Sequence, residues 1–279
     1  MAEKINVRKL TIFISTLYCS LIFSSSLFAF QKGSTEDFLG HEVGVTYHTA
    51  DQAVSSKEYL PIYPQEGTPE FEADKIAYLH GYNLKDTDRW KQATKDADLH
   101  TANVAEIFSE PLGITISPET TPTLYKMFGD LLVDSADNAT KTAKEFYMRK
   151  RPFVYFGNHS CQPVDEEERL RQNGSFPSGH TAYGWTLALV LAQISPSHAE
   201  ALIKRGYEFG QSRMICGAHW QTDVNAGRMV GAVEYSKLQT IPQFQEDLRK
   251  AIDEVNHQYS LLKNDRPFWK IKKAVLLPF

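Results

Sequence analysis

The sequence predicts an all-α, single-domain protein, and three observations lead to that class. Apolar residues recur at helical spacing over most of the chain from about residue 71 onward. We find no stretch in which apolar and polar residues alternate as in a half-buried strand, and no internal repeat. Of the 279 residues, 42% are hydrophobic and 23% are charged, which is typical of a globular chain with a sizeable core.

The first 29 residues are predicted to be a secretory signal peptide that is not part of the fold. Lys4, Arg8 and Lys9 form a basic start, and an apolar run with interspersed Ser and Thr follows, ending at a cleavage site near Ala29. The alternative is a retained single-span anchor. After residue 30 no apolar run is long enough to span a bilayer. We therefore expect an exported mature chain, residues 30–279, that forms one all-α domain without stable membrane insertion.

The helices follow from periodicity and from their start and stop signals, taken in chain order. Residues 31–70 are rich in Pro, Gly and aromatic residues and are predicted to be irregular, as are residues 153–176. Pro152 disfavours helix at Arg151, so the helix before it should end at Lys150. Helices are predicted from Phe71, from a cap at Asp86 or Thr87, as a pair across 117–150 opening at Ser117, and over 178–193, 197–216, 221–239 and 242–262.

Charge and cysteine content narrow the class of protein further. The net charge of −4 gives no general reason to expect nucleic-acid binding, so any anion site must be a local concentration of positive charge. Cys19 lies in the signal peptide. Cys161 and Cys216 remain as an even number in an oxidising compartment, which predicts a disulfide between them. The alternative is two buried free thiols.

Two clusters suggest an anion site. In "KEFYMRKRP", Lys144 and Arg151 are seven residues apart, which is two helical turns, so both cations are expected on one face. In "GSFPSGH", Ser178 and Gly179 lead into a helix whose first N–H groups can bind an anion, with His180 beside it. The alternatives are a solvated helix face for the cations, a plain N-cap for Ser178 and a surface position for His180.

The third cluster, "SRMICGAHWQTD", combines a histidine with a carboxylate. His219 and Asp223 are four residues apart, so on a helix the carboxylate could accept the imidazole N–H and leave the other nitrogen free to attack. Arg213 lies on a different helical face from His219, so a break is needed to bring them together, and Gly217 is well placed to provide it. The alternative is an ordinary pair of neighbouring side chains.

Together these segments resemble the three-part signature of the phosphatidic acid phosphatase type 2 superfamily. The flanking "GSFPSGHTA" is similar, more narrowly, to the class A bacterial non-specific acid phosphatases, although Phe176 stands where they usually have tyrosine. The superfamily signature is matched at every motif position by Lys144-x6-Arg151-Pro152, Pro177-Ser178-Gly179-His180 and Ser212-Arg213-x5-His219-x3-Asp223.

The resemblance implies a periplasmic acid phosphatase that acts on small phosphate monoesters, nucleotides among them, without metal or other cofactor and with inhibition by vanadate. It assigns His219 as the nucleophile that forms a phosphohistidine, Asp223 as the group that orients it, and His180 as the general acid and then base. Homo-oligomers are common in this branch. The phosphoryl oxygens would be held by Lys144, Arg151, Ser178, Gly179 and Arg213.

Three other functions share parts of this pattern. Vanadium haloperoxidases are similar in the same motifs, because vanadate mimics the phosphoryl transition state, whereas an exported chain of this length favours a phosphatase. Membrane lipid phosphatases need several membrane-spanning helices, and the sequence after residue 30 has no apolar run long enough to form one. A non-catalytic oxyanion-binding protein would not need both His180 and His219.

Overall fold

The computed structural model describes residues 46–264, so the predicted signal peptide, the start of the predicted domain and its last fifteen residues lie outside that range. Within the described range all regular structure is helical, which confirms the all-α class. The helices are α1 (Ser56–Tyr59), α2 (Pro69–Tyr82), α3 (Asp88–Ala97), α4 (Thr101–Leu112), α5 (Pro122–Leu132), α6 (Lys141–Tyr147), α7 (Pro152–Phe156), α8 (Val164–Arg171), α9 (Gly179–Ile194), α10 (Ala199–Ile215), α11 (Gln221–Leu238) and α12 (Pro242–Asn264). No helix in this part of the chain has the length and apolar character needed to cross a bilayer.

Helix α9 forms the centre of the bundle. Twelve of its sixteen residues are buried, as expected for a helix that is apolar on every side. It packs against α10 and α11 and also contacts α5 and α12. Its N-terminus carries the "PSGH" motif, so the most deeply buried element of the fold is also the one that presents the candidate site.

Small residues let the helices around α9 approach closely. A Cβ at Gly206 of α10 would lie 2.4 Å from the Cβ of Ala188, and one at Gly231 of α11 would lie 2.6 Å from the carbonyl oxygen of Ala182. Neither gap could take a methyl group without displacing a helix. The distances from α9 to α10 and α11, which carry or flank the third motif, are therefore set by glycine.

The segment between α5 and α6 differs from the prediction. The first helix of the predicted pair begins at Pro122, where a missing N–H costs nothing, and Ser117 instead caps a preceding turn. A π-helix, Val133–Asn138, links the two helices. Helix α6 ends at Tyr147 rather than at Lys150, because Met148 adopts a left-handed conformation with φ 43°.

Four helices lie where the sequence did not predict them. Helix α1, only four residues long, lies in the stretch 31–70 that was predicted to be irregular. Two others, α7 and α8, occupy the second segment predicted to be irregular; α7 has only five residues and α8 is largely charged, so neither carries a clear apolar period. Arg151, directly before α7, is extended, as Pro152 requires. The fourth is α4, which has Pro111 in its last turn and is capped by Gly113 with φ 78°.

Candidate active site

The three predicted motifs meet at the start of α9. Ser178 donates its backbone N–H to the carbonyl of Asp223 at 3.0 Å, and Phe153 donates to the carbonyl of Gly217 at 3.1 Å. These two bonds join the "PSGH" segment to the first turn of α11 and join α7 to the turn between α10 and α11. Backbone contacts therefore bring together residues that are 45 and 64 positions apart in sequence.

The two cations of the first motif share hydrogen-bond partners, but they do not lie on one helical face as we predicted. Lys144 is on α6 and Arg151 lies beyond its end, so a common helical face is wrong. Both instead reach the loop before α9. The Oδ1 of Asn173 accepts from Lys144 Nζ at 3.4 Å and from Arg151 Nη2 at 3.3 Å, and the carbonyl of Gly174 accepts from both at 3.2 and 3.5 Å.

The N-terminus of α9 is tightly enclosed. Ser178 is the N-cap, and its Oγ accepts from the N–H of Thr181 at 3.3 Å, as the N-cap interpretation predicted. A Cβ on Gly179 would lie 2.6 Å from the carbonyl oxygen of Ala136 in the π-helix. The surface position considered for His180 is wrong: its side chain is buried, and its Nε2 lies 3.0 Å from the carbonyl oxygen of Ala97.

His219 is held from both sides of its ring. Its Nδ1 lies 2.8 Å from the carbonyl oxygen of Ser175, and because a carbonyl can only accept, Nδ1 carries the proton. The unprotonated Nε2 accepts from Arg151 Nη1 at 2.9 Å. The predicted shared helical face with Asp223 is wrong, since α11 begins at Gln221, but Asp223 Oδ2 still lies 3.5 Å from Nδ1.

Arg213 reaches the site through the break that the sequence predicted. Helix α10 ends at Ile215, and Gly217 follows with φ 80°, a conformation that glycine adopts without strain. The guanidinium of Arg213 is fully buried; Nη2 donates to Gln162 Oε1 at 2.6 Å, and Nε has no hydrogen-bond partner. A buried donor without a partner is costly, so Arg213 Nε is suited to an incoming anion.

A disulfide joins Cys161 and Cys216, with their Cα atoms 4.8 Å apart. The N–H of Cys161 also donates to the carbonyl of Cys216 at 2.9 Å. The bridge therefore ties the loop before α8 to the end of α10. Gln162, the neighbour of Cys161, is thereby held against Arg213.

Burial and mutual repulsion depress the pKa values of the site's basic groups. Burial, followed by the charges of Arg151, Lys144 and Arg213, keeps the pKa of His219 well below its usual range. Burial and then Arg213 do the same to the pKa of His180. Burial and then Arg151 lower the pKa of half-buried Lys144 to about 7. Both histidines are therefore neutral in the absence of an anion, and the cations that repel protons would attract a phosphate.

Several residues at the site were not predicted from the sequence. Arg149 donates to Asp223 Oδ1 at 2.6 Å and to Asp74 Oδ2 at 2.8 Å. Within "MRKRP" it stands beside two other basic residues, and nothing in the spacing separates it from them. Asn173, Gln162 and Ser175 act through amide or carbonyl oxygens, which leave no sequence signal. Within residues 46–264 we find no group of three or more His, Cys, Asp or Glu side chains arranged to hold a metal.

Known proteins share both the motifs and most of the chain. Residues 125–234, which include every predicted site residue, match the PAP2 superfamily. A non-specific acid phosphatase of Salmonella typhimurium is 51% identical over 222 residues, covering 79% of this chain and 88% of that protein. One from Providencia stuartii is 45% identical over 208 residues, covering 75% and 84%. An acid phosphatase of Zymomonas mobilis is 34% identical over 241 residues, covering 85% and 89%.

The helical fold and its three converging motifs thus define a protein of the PAP2 class. With relatives of this identity and coverage, the chain belongs to the PAP2 superfamily and, within it, to the class A bacterial non-specific acid phosphatases.

Proposed function

We propose that this protein is an exported acid phosphatase that hydrolyses phosphate monoesters through a phosphohistidine on His219. The observation that carries the proposal is the convergence of a neutral, buried histidine with Lys144, Arg151 and Arg213 at the start of α9. The names of the relatives, non-specific acid phosphatase and acid phosphatase, support the reaction and a broad range of substrates.

In the first step, His219 Nε2 attacks phosphorus, a P–N bond forms and the P–O bond to the leaving group breaks. The Nδ1 proton stays on the ring, facing Ser175 and Asp223, and stabilises the cationic phosphohistidine. Arg151 Nη1 now donates to Nε2, so substrate binding must draw that donor onto a phosphoryl oxygen before attack. Charge on the equatorial oxygens is stabilised by the three cations and by the free N–H groups at the start of α9.

His180 supplies the proton for the leaving alkoxide. Its Nε2 donates to the carbonyl of Ala97, so the other ring nitrogen is the one that can exchange a proton with the substrate. A bound phosphate offsets the charges of Arg213 and Arg151 that lower the pKa of His180 in the empty site. After phosphorylation, the neutral ring removes a proton from water, which attacks phosphorus, breaks the P–N bond and releases phosphate.

The low pKa of His219 suits an enzyme that works in acid. A histidine with an ordinary pKa near 6.5 would be largely protonated at pH 5 and unable to attack. Burial and three cations lower the pKa of His219 and so favour its neutral form. Because the same cations stabilise the transition-state charge, we propose that the reaction needs no metal.

The test is a panel of phosphate monoesters hydrolysed by the purified mature protein across pH, with and without a chelator. We expect activity that survives chelation and is blocked by vanadate, with His219→Ala as the inactive control. Loss of activity on chelation that a divalent metal restores would contradict the metal-free mechanism. Oxidation of bromide by peroxide and vanadate, without ester hydrolysis, would support a haloperoxidase instead.

Export and assembly complete the proposal. Residues 1–29 have the composition of a cleaved signal peptide, which would place the mature chain in the periplasm. Sequencing the N-terminus of protein from a periplasmic extract tests both the location and the cleavage near Ala29. The small-molecule substrates require no macromolecular partner, and a homo-oligomer remains a prediction that light scattering can check.

A further inference from the structure

Arg149 is a buried guanidinium held between two buried carboxylates. Its Nη2 donates to Asp74 Oδ2 at 2.8 Å and its Nη1 donates to Asp223 Oδ1 at 2.6 Å. Only 4% of Arg149, 1% of Asp74 and none of Asp223 is exposed to solvent. Removing one member of such a group leaves an uncompensated buried charge, so each is under strong constraint.

Further contacts fix the plane of this guanidinium. Nη1 also donates to Thr222 Oγ1 at 2.8 Å, and the rings of Tyr63 and Trp220 lie 4.8 and 5.3 Å from its central carbon. Asp74, on α2, accepts from the N–H of Thr222 at 2.9 Å. A planar fork is needed to reach two carboxylates at once, which an ammonium group cannot reproduce.

The arrangement determines how Asp223 meets His219. Arg149 occupies Oδ1 of Asp223, and the N–H of Trp220 donates to Oδ2 at 2.9 Å. Oδ2 is therefore the oxygen that lies 3.5 Å from His219 Nδ1. If Arg149 were absent, only the Trp220 N–H would hold the carboxylate, which would also lose the charge that balances it.

We propose that Arg149 is a positioning residue for His219, acting through Asp223, and that Asp74 holds Arg149 in place. The proposal rests on the phosphohistidine chemistry proposed above. Positive charge develops on the His219 ring only as phosphorylation proceeds, so an oriented Asp223 stabilises the transition state more than the bound substrate. Arg149 should therefore act on kcat more than on KM.

Other charges also act on Asp223, and they must be separated from Arg149 in the test. Lys144 and Arg151 interact with Asp223 through space, whereas Arg149 donates to it directly. The charged and titratable groups that face Asp223 come from α2, α6, the segment before α7 and the α10–α11 turn: Asp74, Lys144, Arg149, Arg151 and His219.

The experiment compares kcat and KM across pH for wild type, Arg149→Lys, Arg149→Met and the double variant Arg149→Met with Asp74→Asn. For Arg149→Met we expect kcat to fall about 10- to 100-fold with little change in KM. Arg149→Lys, which retains the charge, should show a smaller loss of kcat.

The double variant separates positioning from charge balance. It removes Arg149 together with the carboxylate of Asp74, which returns the net charge of the buried group to its wild-type value, so the unfolding temperature should recover part of the loss seen in Arg149→Met. We expect its kcat to stay low, because Asp223 Oδ1 still lacks its guanidinium donor. Arg228→Met is the matched control, since Arg228 binds Tyr207 and Gln211 away from the site, and its profile should remain that of wild type.

Several outcomes would overturn the proposal. A wild-type profile in the double variant would show that Arg149 only balances Asp74. A rise in KM with unchanged kcat in Arg149→Lys would place Arg149 in substrate binding instead. Wild-type protein that hydrolyses no phosphate ester would overturn the proposed function and this inference together. Active wild-type protein, with Arg149 variants that keep its kcat and KM, would overturn the inference alone.

Discussion

Among single residues, the cations and histidines of the site are coupled through charge. Each positive group lowers the affinity of its neighbours for protons, and burial adds to the effect. The two histidines of the site are therefore neutral. Of its three cations, Lys144 has a pKa of about 7, which lies within the physiological range. In the proposed function an arriving phosphate would reverse these shifts, so substrate binding and protonation would be linked.

Lys144 should determine the alkaline limit of anion binding. It is charged below pH 7, and the charge is lost as the pH rises through its pKa of about 7. We expect the inhibition constant of inorganic phosphate to rise above that pH in wild type. In Lys144→Arg the rise should move to higher pH, since guanidinium stays protonated. At each pH, wild type and Lys144→Arg bind the same ionic forms of phosphate. Competition assays between about pH 5 and 9 therefore separate the titration of Lys144 from that of phosphate.

A negative charge at position 173 should weaken anion binding. Its Oδ1 accepts from both Lys144 and Arg151, so Asn173→Asp would place a carboxylate of nearly the same shape between the two cations. We expect phosphate and vanadate to inhibit this variant at least about 10-fold more weakly, since it repels the anion by charge alone. Asn225→Asp, on exposed α11 surface, is the control. Equal inhibition of the two variants would contradict the shared role of Asn173.

Among elements, the start of α9 and the π-helix act as one unit. The carbonyl of Ala136 lies against Gly179 so closely that a methyl group on Gly179 would come within 2.6 Å of it. The π-helix therefore limits how far the end of α9 that we propose to bind the anion can move. The bend between α10 and α11 at Gly217 limits the opposite side, where His219 lies.

Gly179→Ala tests this contact. The added methyl must displace either the π-helix or the start of α9, at a cost of about 1–3 kcal/mol of overpacking. We expect both a lower Tm and weaker phosphate binding. Gly206→Ala, whose Cβ would meet Ala188 in the α9–α10 contact, should lower Tm while phosphate inhibits the folded protein normally. Equal phosphate inhibition of the two variants would show that the π-helix does not position the site.

The disulfide should stabilise the fold and hold Gln162 against Arg213. Cys161→Ser with Cys216→Ser should lower the free energy of unfolding by about 2–4 kcal/mol. It should also raise KM, since Gln162 would no longer be fixed beside Arg213. Urea unfolding and steady-state kinetics measure the two effects. Peptide mapping without reductant that finds both thiols free in periplasmic protein would contradict the bridge.

The elements differed in how well they could be predicted. Helices α9 to α12 lie within two residues of the predicted bounds, because long apolar periods and Pro242 mark them. The π-helix could not be predicted, since it arises where tertiary contacts override continuous helical periodicity. The motifs named residues that the structure brings together at the start of α9, but the link between Lys144 and Arg151 could not be predicted, since their shared partner Asn173 is set by packing alone.

At the scale of the whole molecule, a buried ionic cluster holds the first described residues, among them Tyr47 and His48, against the helical bundle. His48 Nε2 lies 2.8 Å from Glu234 Oε1 on α11, and Asp134 in the π-helix accepts from the N–H of Tyr47 at 2.7 Å. Burial alone would lower the pKa of His48, but Glu234 and Asp134 outweigh it and raise the pKa to about 9. Burial raises the pKa of Asp134 to about 7.

This cluster should contribute more stability in acid than in base. Because the folded pKa of His48 exceeds its ordinary value of 6.5, its contribution is complete below pH 6.5 and is lost as the pH rises through about 9. His48→Gln should cost about 3–5 kcal/mol in acid and flatten this decline, because one partner of a buried pair is gone. Urea unfolding across pH measures both, and an unchanged slope in the variant would contradict the assignment.

Rapid quench of the phosphoenzyme under single-turnover conditions tests whether His219 is the nucleophile and His180 the general acid. His219→Ala should form no phosphoenzyme from any ester. His180→Ala should form it at nearly the wild-type rate from a nitrophenyl ester, whose leaving group needs no proton, and about 10²–10⁴-fold more slowly from an alkyl ester. Phosphoenzyme in the His219 variant, or an equal loss with both esters in the His180 variant, would contradict the assignment.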